Sequence, residues 1–149
     1  MKTITEISRS EPSIVMTRTY EAPRELIWEV ITEPRHVTRW WGGAGCANPV
    51  CEMDVRLGGT WRHVMRFPDG QEIHMHFVFV QVEPPRLLSW KDPRASFTVT
   101  LTEKSRHTDW KLVALFNSLE ERDAAVGFGF KGPIEASNDR LAAYLKEIL

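Results

Sequence analysis

Turn signals recur at nearly even spacing through the middle of this chain of 149 residues: "LGG" at 57–59, "PDG" at 68–70, "EPP" at 83–85, "DPR" at 92–94 and "KSRH" at 104–107. Gly, Pro, Asp and Ser clusters of this kind punctuate the chain, and the segments between them carry no helical periodicity. The spacing predicts six strands near residues 47–56, 59–67, 71–82, 87–91, 95–103 and 108–117, joined by short connections as an antiparallel meander. "FPDGQ" fixes one register, because Pro-Asp-Gly suits a type I turn followed by a left-handed glycine and so pairs Phe67 with Gln71. Arg66 then faces Glu72, Met65 faces Ile73, His63 faces Met75 and Trp61 faces Phe77. Charge meets opposite charge and apolar meets apolar, which a slip of one residue would scramble. The inner face is expected to hold Trp61, His63, Met65, Ile73, Met75, Phe77 and Phe79, with Arg62, Arg66, His74 and His76 outside.

Upstream, "SIVMTRTYEA" alternates Ile14, Met16, Arg18 and Tyr20 against Val15, Thr17 and Thr19, the pattern of a first strand. A helix follows from about Pro23 to Thr32, with Ile27, Val30 and Ile31 on one stripe, and Glu33-Pro34 ends it. "PRHVTRWWGGAG" reads as a second, short helix stopped by Gly42, with Val37, Trp40 and Trp41 on one face. Such a tryptophan pair either plugs a core or lines something that opens. Downstream, Phe97, Val99 and Leu101 alternate with threonines, and Trp110, Leu112, Ala114 and Phe116 alternate with Asp109 and Lys111. A sheet with one apolar face needs a lid, and residues 118–149 are the segment long enough to supply it. Ser118 and Glu121 have capping-box spacing, and Leu141, Leu145, Ile148 and Leu149 carry an apolar stripe. "GFGFKGP" predicts a break between two helical halves, where Phe128 and Phe130 swing.

The balance of 19 Lys and Arg against 20 Asp and Glu offers no electrostatic footprint for nucleic acid or an anionic membrane surface. No apolar run approaches the length of a membrane span and the first residues lack a signal-peptide core, so a cytoplasmic location is expected. Cys46 and Cys51 read as two free thiols, since an odd spacing along one strand points them to opposite faces. His74 and His76 with His63 suggest a three-histidine metal site, but the hairpin register sends His63 to the opposite face, so no metal is expected. No cofactor motif is present. His63, alone among apolar neighbours, is the candidate polar handle inside a cavity.

"RTYEAPRELIWEVITEP", "WWGG", "DVRLGGTWRHVM", "PDGQE" and "VEPPRLLSW" occur in an order that resembles the bacterial proteins homologous to the C-terminal domain of the activator of Hsp90 ATPase, within the START-like (SRPBCC) superfamily. The resemblance covers about residues 13–149, a single domain after an N-terminal extension of residues 1–12. It departs in the last helix, where such proteins carry Gly-Trp and then a leucine and this chain has Pro133, Ile134 and Asn138. It implies an α+β helix-grip fold: a curved antiparallel β-sheet wrapped around a long C-terminal helix, with two short helices after strand one. It also implies an apolar cavity between sheet and helix. Here the wall would comprise Trp40, Trp41, Trp61, His63, Met65, Met75, Phe77, Trp90, Trp110, Phe128 and Phe130. The expected role is noncatalytic binding of a hydrophobic or aromatic small molecule, lipid-like or polyketide-like. One alternative is a cyclase or hydrolase with His63 as base and Asp54 or Asp109 as orienter; another is an Hsp90-related co-chaperone. Val64, Val78 and Val80 on the outer face are compatible with a homodimer through the sheet.

Overall fold

The computed structural model describes residues 2–149. The elements run β1 (Ile4–Ile7), β2 (Ser13–Tyr20), α1 (Arg24–Thr32), α2 (Pro34–Trp40), β3 (Ala47–Met53), β4 (Thr60–Arg66), β5 (Glu72–Glu83), β6 (Leu87–Lys91), β7 (Ala95–Lys104), β8 (His107–Phe116), α3 (Leu119–Gly127) and α4 (Lys131–Ile148). The strands form one antiparallel sheet in the order β1-β2-β8-β7-β6-β5-β4-β3. The antiparallel meander is the one the turn spacing predicts, and the architecture is the α+β helix-grip arrangement that the family resemblance implies.

The β4–β5 register is the expected one, including Arg66 with Glu72 and Trp61 with Phe77. Gly70 takes φ +91°, and the Phe67 N–H donates to the Gln71 carbonyl at 2.8 Å, closing the turn. Ile73 departs from the expected inner set and is 42% exposed, although Met65 opposite it is buried beneath Gly42. Glu33 caps both α1 and α2 in extended conformation, as the proline after it demands. α1 buries Ile27, Val30 and Ile31, the expected stripe. On the outer face Val64 is buried and Val78 and Val80 are half-buried, so the apolar strip is largely covered within the chain.

β1 is an edge strand that the sequence reading did not include; it pairs with β2 over Ile4–Ile7. The turn between them is held by buried Arg122 of α3, whose guanidinium donates to the carbonyls of Ser8, Glu11 and Ser13 at 2.7, 3.0 and 3.0 Å. The Ser118 hydroxyl accepts from the Glu121 N–H at 3.0 Å and starts α3 as its spacing predicts. α4 buries Ser137, Asn138, Leu141, Tyr144 and Leu145. Tyr144 therefore replaces Ile148 and Leu149 in the expected stripe; these two are 39% and 66% exposed.

α4 lies across the concave face and is tied at both margins. On one side Thr5 donates to Glu135 at 2.7 Å, Asn138 donates to Thr3 at 3.1 Å, and Arg18 pairs with Asp139. On the other, the Gly42 N–H donates to the Ser137 hydroxyl at 2.8 Å. Arg140 donates to the carbonyls of Trp41, Gly43 and Cys46 at 3.1, 3.2 and 3.3 Å.

Candidate functional site

The aromatic residues of the concave face form a continuous series. Trp40 donates its indole N–H to the Val30 carbonyl at 2.8 Å and sits 5.7 Å, ring to ring, from Trp41. Trp41 lies 5.1 Å from Trp61, and Trp61 lies 5.2 Å from Phe77 and 5.4 Å from Trp90. Trp90 stacks on Phe97 at 5.8 Å, Phe97 stacks on Phe130 at 6.2 Å, and Phe130 meets Phe116 edge-on at 5.4 Å. These are the offset and edge-to-face separations aromatic rings favour. Trp61, Phe77 and Trp90 are buried in the middle, whereas Trp41, Phe97 and Phe130 are half-buried.

The structure thus brings Trp40, Trp41, Trp61, His63, Phe77, Trp90 and Phe130 together. Met65 belongs with them: its sulfur lies beneath Gly42, where φ is +82° and a Cβ would stand only 2.6 Å away. Met75 pairs with His63 across β4–β5 and is half-buried. Trp110 is buried farther along the sheet, opposite Leu101 and Arg18, outside the ring series. Phe128 does not join the wall and is 93% exposed. Gly127 ends α3 and Gly129, at φ +85°, turns the chain, so Phe128 is left outside as Phe130 goes in. Phe97 and Phe116 were legible as inward positions of their strands yet were not assigned to the site. Asn48, Ser137 and Arg140 carry no sequence signal for the contacts they make.

Through the series runs a chain of hydrogen bonds. The Trp61 indole N–H donates to His63 Nδ1 at 3.2 Å, which leaves the proton on Nε2 to be donated to Asn48 Oδ1 at 2.8 Å. Asn48 in turn donates to the Thr38 and Trp41 carbonyls at 3.0 and 3.1 Å. Burial lowers the His63 pKa to about 4, so the ring is neutral at physiological pH. Both of its nitrogens are committed. Asp54 pairs with Arg56, and Asp109 binds Thr19 and Lys104, so neither carboxylate orients His63. Burial pushes the Cys51 thiol up to about 11 against a smaller opposing pull from Trp61, leaving it protonated and a poor nucleophile.

A family model described as Activator of Hsp90 ATPase homolog 1-like protein matches residues 21–146. The chain belongs to this family. Solved structures of like fold include a protein from Mycobacterium smegmatis, 21% identical with a TM-score of 0.91 over 100% of both chains. One from Nitrosomonas europaea is 22% identical, with a TM-score of 0.87 over 95% of this chain and 97% of that one. The AHSA1-like protein from Aeromonas hydrophila is 19% identical, with a TM-score of 0.70 over 87% of this chain and 93% of that one. At these identities the likeness establishes the fold. No curated protein matches the sequence.

In this member of the activator of Hsp90 ATPase homolog 1-like family, one cleft of about 320 Å³ lies outside the aromatic series and another, of about 590 Å³, touches it only at Phe116. The smaller is bordered by Glu52, Arg62 and His76, the larger by Val78, Lys91 and Ser96, and both are open and of mixed polarity. Neither has the enclosed apolar lining of a small-molecule site. Among the described residues no helix is long and apolar enough to cross a membrane.

Proposed function

We propose that this protein binds a hydrophobic or aromatic small molecule, lipid-like or polyketide-like, between the concave sheet face and the junction of α3 and α4, without catalysing its conversion. The observation that carries this reading is the way the aromatic series ends. Phe130 is held against Phe97 and Phe116 by ring contacts. Among the described residues no side-chain hydrogen bond or ion pair restrains positions 125 to 134, whereas α4 from Glu135 onward is tied at both margins. Phe130 is thus a plug of apolar contacts alone, flanked by Gly127 and Gly129, and an apolar ligand takes its place against Phe97 and Trp90 when the junction swings. The absence of a free base supports binding over hydrolysis or cyclisation, because His63 already accepts from Trp61 and donates to Asn48.

Native mass spectrometry of the protein from its own host, with tryptophan fluorescence titrations of decanoic acid and a hydroxyanthraquinone, tests the proposal. We expect a co-purifying apolar species or a saturable quench, and tighter binding by Phe130→Ala, which removes the competing ring. An empty protein with no fluorescence response, in the parent and in Phe130→Ala, would overturn the reading and make the aromatic series ordinary core.

A further inference from the structure

A second cluster lies where α1 meets α2. Glu29 is on the last turn of α1, Glu33 is the residue between the helices, and His36 is on the first turn of α2. One ligand atom from each lies within 4.8 Å of the others. His36 is 8% exposed, and its Nε2 is buried without a hydrogen-bond partner, 3.8 Å from Glu29 Oε1. Its other nitrogen is taken, since Nδ1 lies 2.6 Å from the Tyr144 hydroxyl.

Buried polar atoms in folded proteins are almost always partnered. A histidine whose Nδ1 is fixed by a neighbour while Nε2 faces carboxylates has the arrangement of a metal ligand with its supporting contact. Arg35 bridges Glu29 and Glu33 at 3.0 and 3.2 Å, so a cation already sits on the two carboxylates. Its side chain is 65% exposed and free to leave, and it does not serve Nε2. Arg39 stays clear, lying over the Tyr144 ring and pairing with Glu147.

We propose that Glu29, Glu33 and His36 bind a divalent ion of the zinc class in place of the Arg35 guanidinium, with water as the fourth ligand. Zinc bonds of about 2.0–2.1 Å set tetrahedral ligand atoms roughly 3.4 Å apart, so the 3.8 Å gap from Nε2 to Glu29 Oε1 closes slightly and Glu33, within 4.8 Å of both, is drawn in once Arg35 leaves. The imidazole selects against calcium and magnesium, which take oxygen ligands. The bound ion staples α1 to α2 and, through Tyr144, to α4.

Calorimetric titration of the full chain, stripped with EDTA, with zinc chloride provides the test. We expect one equivalent of binding that excess calcium does not displace, together with a higher melting temperature. Glu33→Gln, at a half-buried position, and His36→Gln should each abolish it, and Tyr144→Phe should weaken it by roughly 10- to 100-fold, as loss of such supporting contacts does. Arg35→Ala removes the competing cation and should strengthen it severalfold. The exposed pair His74 and His76 is the adventitious alternative: zinc binding that survives Glu33→Gln and His36→Gln but disappears in the double variant His74→Ala, His76→Ala would overturn the proposal. So would the absence of heat in both the parent and Arg35→Ala.

Discussion

His63 shows what a buried polar residue commits a fold to. Its two nitrogens are used by Trp61 and Asn48, and burial lowers its pKa from 6.5 to about 4. The unfolded chain binds a proton there below about pH 6.5 and the folded chain does not, so the unfolded state holds more protons in the window between the two values. The stability contributed by the neutral ring is complete above pH 6.5 and is lost as the pH falls toward 4. The loss is on the order of 2–3 kcal/mol. Urea denaturation at pH 7 and pH 4.5 should therefore show a lower midpoint in acid. In His63→Gln, which keeps a donor and an acceptor but does not titrate, the two midpoints should draw together. An unchanged difference in that variant would place the acid sensitivity elsewhere.

At the scale of elements, Arg140 of α4 gathers the carbonyls of Trp41, Gly43 and Cys46 and so holds the glycine loop against the helix. Arg140→Met keeps much of the side chain's apolar bulk and strands the three acceptors, so a loss of about 1–3 kcal/mol is expected. Amide exchange should accelerate at residues 42–46 while the β4–β5 hairpin keeps its protection. Acceleration spread equally over both would mean that Arg140 supports the whole domain rather than this loop. The hairpin and the loop also mark where the sequence was readable and where it was not. Pro-Asp-Gly fixes a register through local backbone geometry, and every expected β4–β5 pair is present. The strap made by Arg140, Ser137 and Asn48 joins positions far apart in sequence, and no periodicity encodes such a contact. β1 escaped for a related reason. Its four residues are half-buried or exposed and form a strand only because the β2 edge is available to pair. The exposure of Phe128 follows from a single left-handed glycine, whose effect on direction a count of apolar residues does not register.

For the molecule as a whole, the decisive property is the uneven way α4 is fastened. From Glu135 to Tyr144 the helix bonds to β1, β2, the glycine loop and α2, while its N-terminal turn and the end of α3 meet the core through apolar contacts of Ala125, Val126, Phe130 and Ile134. Local opening follows the weakest fastening, so the α3–α4 junction is the segment expected to open at the lowest free energy. A ligand bound there stabilises the folded state by mass action, about 2.7 kcal/mol at a free concentration one hundred times its Kd. For a chain of this length that raises the melting temperature by roughly 5–10 °C. Hydrogen exchange locates the effect. In the unliganded protein, amides of residues 125–134 should exchange faster than those of residues 135–145 in the same lid, and saturating decanoic acid or hydroxyanthraquinone should slow the first group most. If ligand instead protects residues 41–46 and leaves the junction unchanged, entry runs beneath the tryptophan pair, and Arg140 rather than Phe130 is the residue that gates it.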